Sequence, residues 1–182
     1  VFGKIEADLH NLAPSIGEVN GDRSNFSFGQ LPSQASYQYG QCRSRVDFAS
    51  RTFEPRNEVK GLVARVYFYL HDRYNLSMSR QQQQLLMPWD NAYPPTAWEK
   101  ERDNRIARIV GYHNPFVTGQ MKWQLGHKNS GAGLSATSSA PVTKAKTETP
   151  KQLNTSQSED IKGNINSKIY HFAHCSGYKT MS

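Results

Sequence analysis

Cysteine is scarce: Cys42 and Cys175 are the two present in 182 residues. They lie far apart in compositionally different regions, so neither a disulfide framework nor a four-cysteine zinc site can be assembled. Cysteine usage therefore leaves the compartment open. Long apolar runs are also missing. The most apolar stretch, Leu62 to Leu70, is broken by Arg65 and falls well short of the roughly 18 residues of a membrane span. That excludes a transmembrane helix. The opening Val-Phe-Gly-Lys-Ile-Glu has no Met and no basic region leading into an apolar run, so it reads as an interior start with no signal peptide in this chain. Acidic residues are outnumbered, 15 against 22 Lys and Arg, for a net charge of +7. Such a balance suits a polyanionic partner, either nucleic acid or an anionic envelope surface.

Aromatic residues vanish between 126 and 160, where 11 of the 35 residues are Ser or Thr. That composition is expected of a flexible linker. Charge divides as 15 basic and 12 acidic residues over 1–125, 4 and 3 over 126–160, and 3 and 0 over 161–182. Residues 161–182 are too few for an independent core, yet Tyr170, Phe172 and Tyr178 reappear there. The expected organisation is a main domain over 1–125, a disordered linker over 126–160 and a small module over 161–182.

Helical signals dominate the main domain. Glu58 to Tyr74 follows Pro55 and places Leu62, Val66, Leu70 with Val63, Tyr67, Tyr74 on one stripe, predicting a core helix. Ser79 with Gln82 fits a capping box for a short helix through Met87, ended by Pro88. Thr96 with Glu99 repeats the device and opens a helix that sets Trp98, Ile106, Ile109 and Val110 on one side and ends at Gly111. Arg102, Arg105 and Arg108 lie elsewhere on it among Glu99, Glu101 and Asp103. A salt-bridged surface is the expectation for these arginines, with neutralisation of a DNA backbone as the rival reading. Near the start, Ile5, Ala7 and Leu9 alternate with Glu6, Asp8 and His10, predicting a half-buried strand ended by Pro14. Asn25 to Phe28 alternates again after a Gly-Asp signal, predicting a second short strand.

The densest chemistry lies in Asp8-Leu-His-Asn-Leu-Ala-Pro-Ser-Ile-Gly-Glu-Val-Asn-Gly-Asp-Arg-Ser-Asn-Phe26. A hard cation such as Mg²⁺ takes few protein ligands and keeps several waters, so one carboxamide oxygen plus one carboxylate can suffice. Asn11 can be such a ligand, and Glu18, seven residues on, can return to hold metal-bound water. The bland alternative is that Asn11 caps the following turn and Glu18 is a solvated helix residue. Spacing alone does not choose between them.

That segment resembles the signature of the endonuclease I family of bacterial periplasmic and secreted deoxyribonucleases. Ordered motifs continue the resemblance over about residues 4 to 118: Tyr39-Gly-Gln-Cys42, Val46-Asp-Phe48, Glu54-Pro55, Ala64-Arg-Val-Tyr-Phe-Tyr69, Trp98-Glu99, Arg102-Asp103 and His113-Asn-Pro-Phe-Val117. The resemblance implies an α+β, mostly helical nuclease scaffold with part of a ββα-metal (His-Me finger) motif. It also implies Mg²⁺ or another divalent cation as cofactor, DNA as partner without strong sequence preference, with RNA left open, and export to the periplasm or medium. In such a site a histidine deprotonates the attacking water, the metal polarises the scissile phosphate, and basic residues hold phosphates. The family's metal-binding Asn falls on Asn11. Arg23 is the phosphate-contact candidate, with a salt bridge to Asp22 or Glu18 as its equal rival, and Asn20 and Asn25 are expected to be turn residues.

The chain departs from the family pattern in two respects, one of them Lys100, where some relatives have cysteine after Trp-Glu, which leaves Cys42 without an obvious partner. The general-base His and acidic ligand belong to an upstream Glu-His-x-x-Pro segment, and this sequence begins ten residues before Asn11. Catalytic weakness or inactivity of this chain alone is the expectation, leaving a non-catalytic DNA-binding or envelope-associated remnant as the alternative. His10 is disfavoured as a substitute base because neighbours on a strand point to opposite faces. His71 and His113 are expected to be structural, and Cys42 a free or buried thiol. The tail from Ile161 to Tyr178 resembles the sunset domain, a small module appended to secreted nucleases. His171, His174 and Cys175 there are read as a packed cluster rather than a zinc site.

Overall fold

A computed structural model describes residues 1–35 and 38–134 in full and the backbone of 161–164 and 169–172. By its contacts the chain divides into two units, Val1–Ala140 and Pro141–Ser182. In the second, β4 (Ile161–Asn164) pairs antiparallel with β5 (Ile169–Phe172), Lys162 opposite His171. Cys175, His174 and the rest of the module lie outside the described residues, as does the 126–160 segment beyond Leu134.

The first unit begins with α1 (Phe2–Glu6), a 3₁₀ turn (Leu9–Asn11) and α2 (Gly17–Arg23), followed by β1 (Ser27–Phe28), β2 (Arg45–Asp47) and β3 (Thr52–Glu54). The expected strand over Ile5 to Leu9 is therefore helical. Asp8 decides this locally: its carboxylate accepts from the His10 N–H at 2.9 Å, closing a tight turn where a strand would need an extended backbone. The predicted extended segment over Asn25 to Phe28 does supply β1, which pairs parallel with β3, while β2 pairs antiparallel with β3 in register Val46 to Phe53. Sheet order is β1-β3-β2.

Four helices follow: α3 (Asn57–Arg73), α4 (Arg80–Ala92), α5 (Ala97–Val110) and α6 (Pro115–Thr118). The result is the α+β, mostly helical class expected from the sequence. The core joins Ala64, Phe68 and Tyr69 of α3 to Leu86 and Trp89 of α4, with Phe116 and Trp123 closing it. Trp123 stacks on Phe68 at 5.0 Å and 12°, a face arrangement that buries two large rings together.

α3 differs from its expected stripe. Its buried residues are Lys60, Gly61, Ala64, Arg65, Phe68, Tyr69 and Asp72, whereas Leu62, Val63, Val66, Tyr67 and Leu70 are half-buried. The helix is central, and its interior polar groups are neutralised. Arg65 makes two 2.7 Å bonds to Glu99 and one of 2.8 Å to Asp90. Gly61 allows the close approach behind this pairing, because a Cβ there would sit 1.9 Å from the Tyr93 carbonyl oxygen.

The caps at Ser79 and Thr96 form as predicted, each hydroxyl accepting the N–H three residues on at 3.1 Å. Pro88 does not end α4, which continues to Ala92. Trp89 in the core and Asp90 on Arg65 hold the turn that the missing N–H would have loosened. Gly111 ends α5 at φ 83°, its N–H reaching the Ala107 carbonyl at 2.8 Å. The α5 stripe is only partly internal: Ile106 is buried, but Trp98 and Ile109 are exposed beside Leu12. The body also runs past Gly126, since His127 and Ser130 both bond the Asp72 carboxylate of α3.

Candidate functional site

The turn carrying Asn11 is fixed from several sides. Asp8, buried below it, accepts the Tyr69 hydroxyl at 2.6 Å and the Tyr74 hydroxyl at 2.7 Å. Arg102 reaches across from α5 to donate to the Leu9 carbonyl at 2.8 Å and to the Leu12 carbonyl. Arg102 is thus a brace for this turn rather than one of a salt-bridged trio. Arg105 and Arg108 do pair with Glu101, at 2.7 and 3.9 Å, on the exposed side of α5.

Asn11 itself donates its carboxamide N–H to the Ile5 carbonyl at 3.0 Å, which leaves Oδ1 with no hydrogen-bond partner among the described residues. The amide is oriented by its nitrogen and offers its oxygen outward. An oxygen ligand of that kind suits a hard divalent cation. Among the described residues, no group of three His, Cys, Asp or Glu side chains could hold a metal. A hard cation held through Asn11 would need its other ligands from water or from residues outside such a group.

His10 lies on the other side of the turn, 1% exposed. Its Nε2–H donates to the Tyr112 carbonyl at 3.2 Å, and Nδ1 lies 3.6 Å from Asp103 Oδ1. Burial holds its pKa below the ordinary value of 6.5, although the Tyr112 carbonyl and Asp103 pull the other way. The strand geometry used to disfavour His10 as a base is absent, since Leu9–Asn11 is a 3₁₀ turn; the ring is instead buried with Nε2 bonded to a backbone carbonyl. Asp103 also takes the His113 Nδ1–H at 2.6 Å and the Asn114 N–H at 2.8 Å. His71 bonds the Leu76 carbonyl at 3.2 Å and stacks on Tyr67. Both histidines keep the structural places predicted for them.

Glu18 sits exposed in the first turn of α2, and the structure brings neither it nor Arg23 into hydrogen-bond contact with Asn11. Arg23 ends the same helix but pairs with neither Asp22 nor Glu18. Its guanidinium lies 4.5 Å from the Phe28 ring centre and donates to the Tyr67 hydroxyl at 3.4 Å, while Nε is buried without a partner. Asp22 instead accepts the Tyr39 hydroxyl at 3.0 Å, and burial with that carboxylate pushes the Tyr39 pKa up to about 12.

Sequence reasoning missed Tyr67 and Tyr39 as partners of this helix. Tyr67 was assigned to the core stripe of α3, and nothing in a phenol's sequence position says which arginine it will meet. Asn25, expected to be a turn residue, accepts from Arg51 at 2.6 Å and so orients a cation. Cys42 is partly buried and free, at an isolated bridge with Tyr39.

Residues 2–120 match the family described as Endonuclease I. The chain is 46% identical over 129 residues to Endonuclease-1 of Buchnera aphidicola subsp. Baizongia pistaciae, covering 70% of this chain and 53% of that protein. It is 44% identical over 120 residues to an extracellular deoxyribonuclease of Aeromonas hydrophila, covering 65% and 52%. An extracellular ribonuclease of Bacillus amyloliquefaciens is 28% identical over 128 residues, covering 60% and 43%. The chain spans about half the length of the first two relatives. With a matched segment that takes in Asn11, α2, the sheet and α3 to α6, this chain belongs to the endonuclease I family.

Proposed function

We propose that this chain is a portion of a Mg²⁺-dependent, sequence-nonspecific endonuclease that hydrolyses DNA phosphodiester bonds in the periplasm or outside the cell. The observation that carries the reading is Asn11, whose nitrogen is tied to Ile5 and whose oxygen is left available, in the position where the family places a metal ligand. When bound, Mg²⁺ supplies polarisation of the scissile phosphate and stabilisation of the leaving oxygen. Asn11 would hold it through Oδ1, and the exposed Glu18 would hold water beside it. Arg23, already stacked and oriented, would present its free guanidinium edge to a phosphate. His10 takes no proton from water, because both its environment and its hydrogen bond face inward.

The family's Glu-His-x-x-Pro segment is not among the 182 residues, so this chain alone is proposed to bind DNA and cleave it weakly or not at all. The organisation proposed is an endonuclease I-like domain that takes in 1–125 and continues to Gly133, a linker over the rest of 126–160 and a sunset-like module over 161–182. RNA is the second polymer to test, because more distant relatives are named ribonucleases.

Plasmid incubated with the purified chain in Mg²⁺ and in EDTA, beside Asn11→Ala and His10→Ala, tests the reading. The expected result is plasmid retarded in low salt but uncut. Joining a Glu-His-x-x-Pro-bearing segment ahead of Val1 should then restore Mg²⁺-dependent cleavage. Asn11→Ala in that joined protein should lower cleavage at least about 100-fold, the upper range for disturbing a metal site's support. Full activity of the joined Asn11→Ala protein would sink the metal-ligand assignment. Neither retardation nor cleavage would sink the DNA reading.

A further inference from the structure

The turn between β2 and β3 is built to present side chains that the proposed site does not use. Asp47 accepts the Ala49 N–H at 3.0 Å and the Ser50 hydroxyl at 2.6 Å, folding the turn on its own carboxylate. Those bonds hold the Asp47 carboxyl below its ordinary pKa of 3.8. Phe48 is left 57% exposed at the tip. Arg51 follows at φ 51°, a left-handed position where Gly or Asn is the usual occupant and a longer side chain carries a cost. Its backbone is committed to the sheet all the same, since its carbonyl accepts the Ser27 N–H at 3.1 Å.

The Arg51 side chain is exposed and oriented. One nitrogen donates to Asn25 Oδ1 at 2.6 Å, and the guanidinium carbon lies 5.1 Å from the Phe26 ring centre. Phe26 in turn meets Phe48 edge-on at 5.8 Å and 80°. Among the described residues, no carboxylate forms an ion pair with Arg51, and Asp47, the acid of its own turn, is engaged by Ala49 and Ser50. Phe28, two residues beyond Phe26, carries Arg23 over its ring in the same manner. The outcome is a ridge of arginine–phenylalanine pairs ending in an exposed ring. A stacked guanidinium keeps its outer N–H groups for phosphate oxygens, and an exposed apolar ring can wedge at a base step of a duplex.

We propose that this hairpin tip is a duplex-DNA contact, in which Phe48 wedges against a base step in the minor groove while Arg51 holds the neighbouring backbone phosphate. It rests on the nucleic-acid reading above and adds to it a contact outside the Asn11 segment. A strained arginine at position 51, where glycine would be free of strain, is accounted for by what its side chain reaches.

The test is the affinity of the full chain for a short fluorescent duplex, followed by anisotropy from about 50 to about 200 mM salt. Phe48→Ala should weaken binding about tenfold, from loss of the apolar wedge. Arg51→Gly should weaken it too and reduce the slope of log K against log salt by about 1. Its melting temperature should stay the same or rise, because glycine accepts the left-handed backbone without strain. Arg51→Lys should keep the salt slope and lose part of the affinity, since charge stays while stacking and fork geometry go.

Variants that bind as the wild type does would overturn the contact while leaving the DNA reading intact. A loss of affinity in Arg51→Gly that merely accompanies a fall in melting temperature would also overturn it. Failure of the wild-type chain itself to bind the duplex would reject the DNA reading and this contact together.

Discussion

Arg65 is 1% exposed and is met on three sides by Glu99, Asp90 and the Tyr93 carbonyl. A buried guanidinium is tolerated when its donors are spoken for, and removal of one carboxylate strands it in a low-dielectric interior. Glu99→Ala should therefore cost about 3–5 kcal/mol in urea unfolding. Arg65→Met, which leaves the Glu99 and Asp90 carboxylates without their cation, should cost at least as much as Glu99→Ala. A smaller loss would mean that those carboxylates are protonated or reached by water once the guanidinium is gone. Sequence gave no sign of this arrangement. Arg65 reads there as an interruption of an apolar run, and its partners lie 25 and 34 residues away. Asn11 stands out as a candidate for a different reason, since a motif of adjacent residues carries its own neighbourhood with it.

At the level of elements, capping chemistry was the most readable feature. Ser79, Thr96 and Gly111 each sit where their predicted helix starts or stops, because a cap depends on three or four consecutive residues. Alternation over Ile5 to Leu9 misled, because five residues sample too little to separate period two from a turn held by Asp8. The α5 stripe misled in another way: Trp98 and Ile109 have core-like spacing yet remain exposed around Leu12 and Arg102. Pro88 shows where local rules yield to packing. It is solvent-exposed within α4, so Pro88→Ala would restore the bond to the Gln84 carbonyl without disturbing the core. That substitution should raise stability by about 1–3 kcal/mol, read as a higher melting temperature. A fall would mean that the local geometry imposed by the proline is itself required by Trp89 and Asp90.

Across the whole molecule, stability should decline with acid in two stages. His10 and His71 are held below their ordinary 6.5, chiefly by burial. The unfolded chain therefore binds protons first, and stability falls as pH drops below about 6.5. Glu54 and Asp72 are held below 4.5 and 3.8. In each, burial alone would raise the pKa, but Lys60, the Leu31 N–H and Arg45 around Glu54, and Ser130 and His127 around Asp72, outweigh it. Their contributions are intact above those ordinary values and are lost as pH falls through the depressed ones. Thermal melts from neutral to acid pH should show the upper stage shrink in His71→Gln, and an unchanged profile would remove His71 from the account.

Asp72 has a further consequence. It is 4% exposed and takes its partners from His127 and Ser130, while Trp123 lies flat on Phe68. All three partners lie beyond residue 120, where the family match ends. A chain stopped at Gln120 would keep the whole of the family match and leave a bare carboxylate and an open slot against α3, so its melting temperature should fall well below that of the full chain. The border at which a family model stops is not one at which this body can be cut.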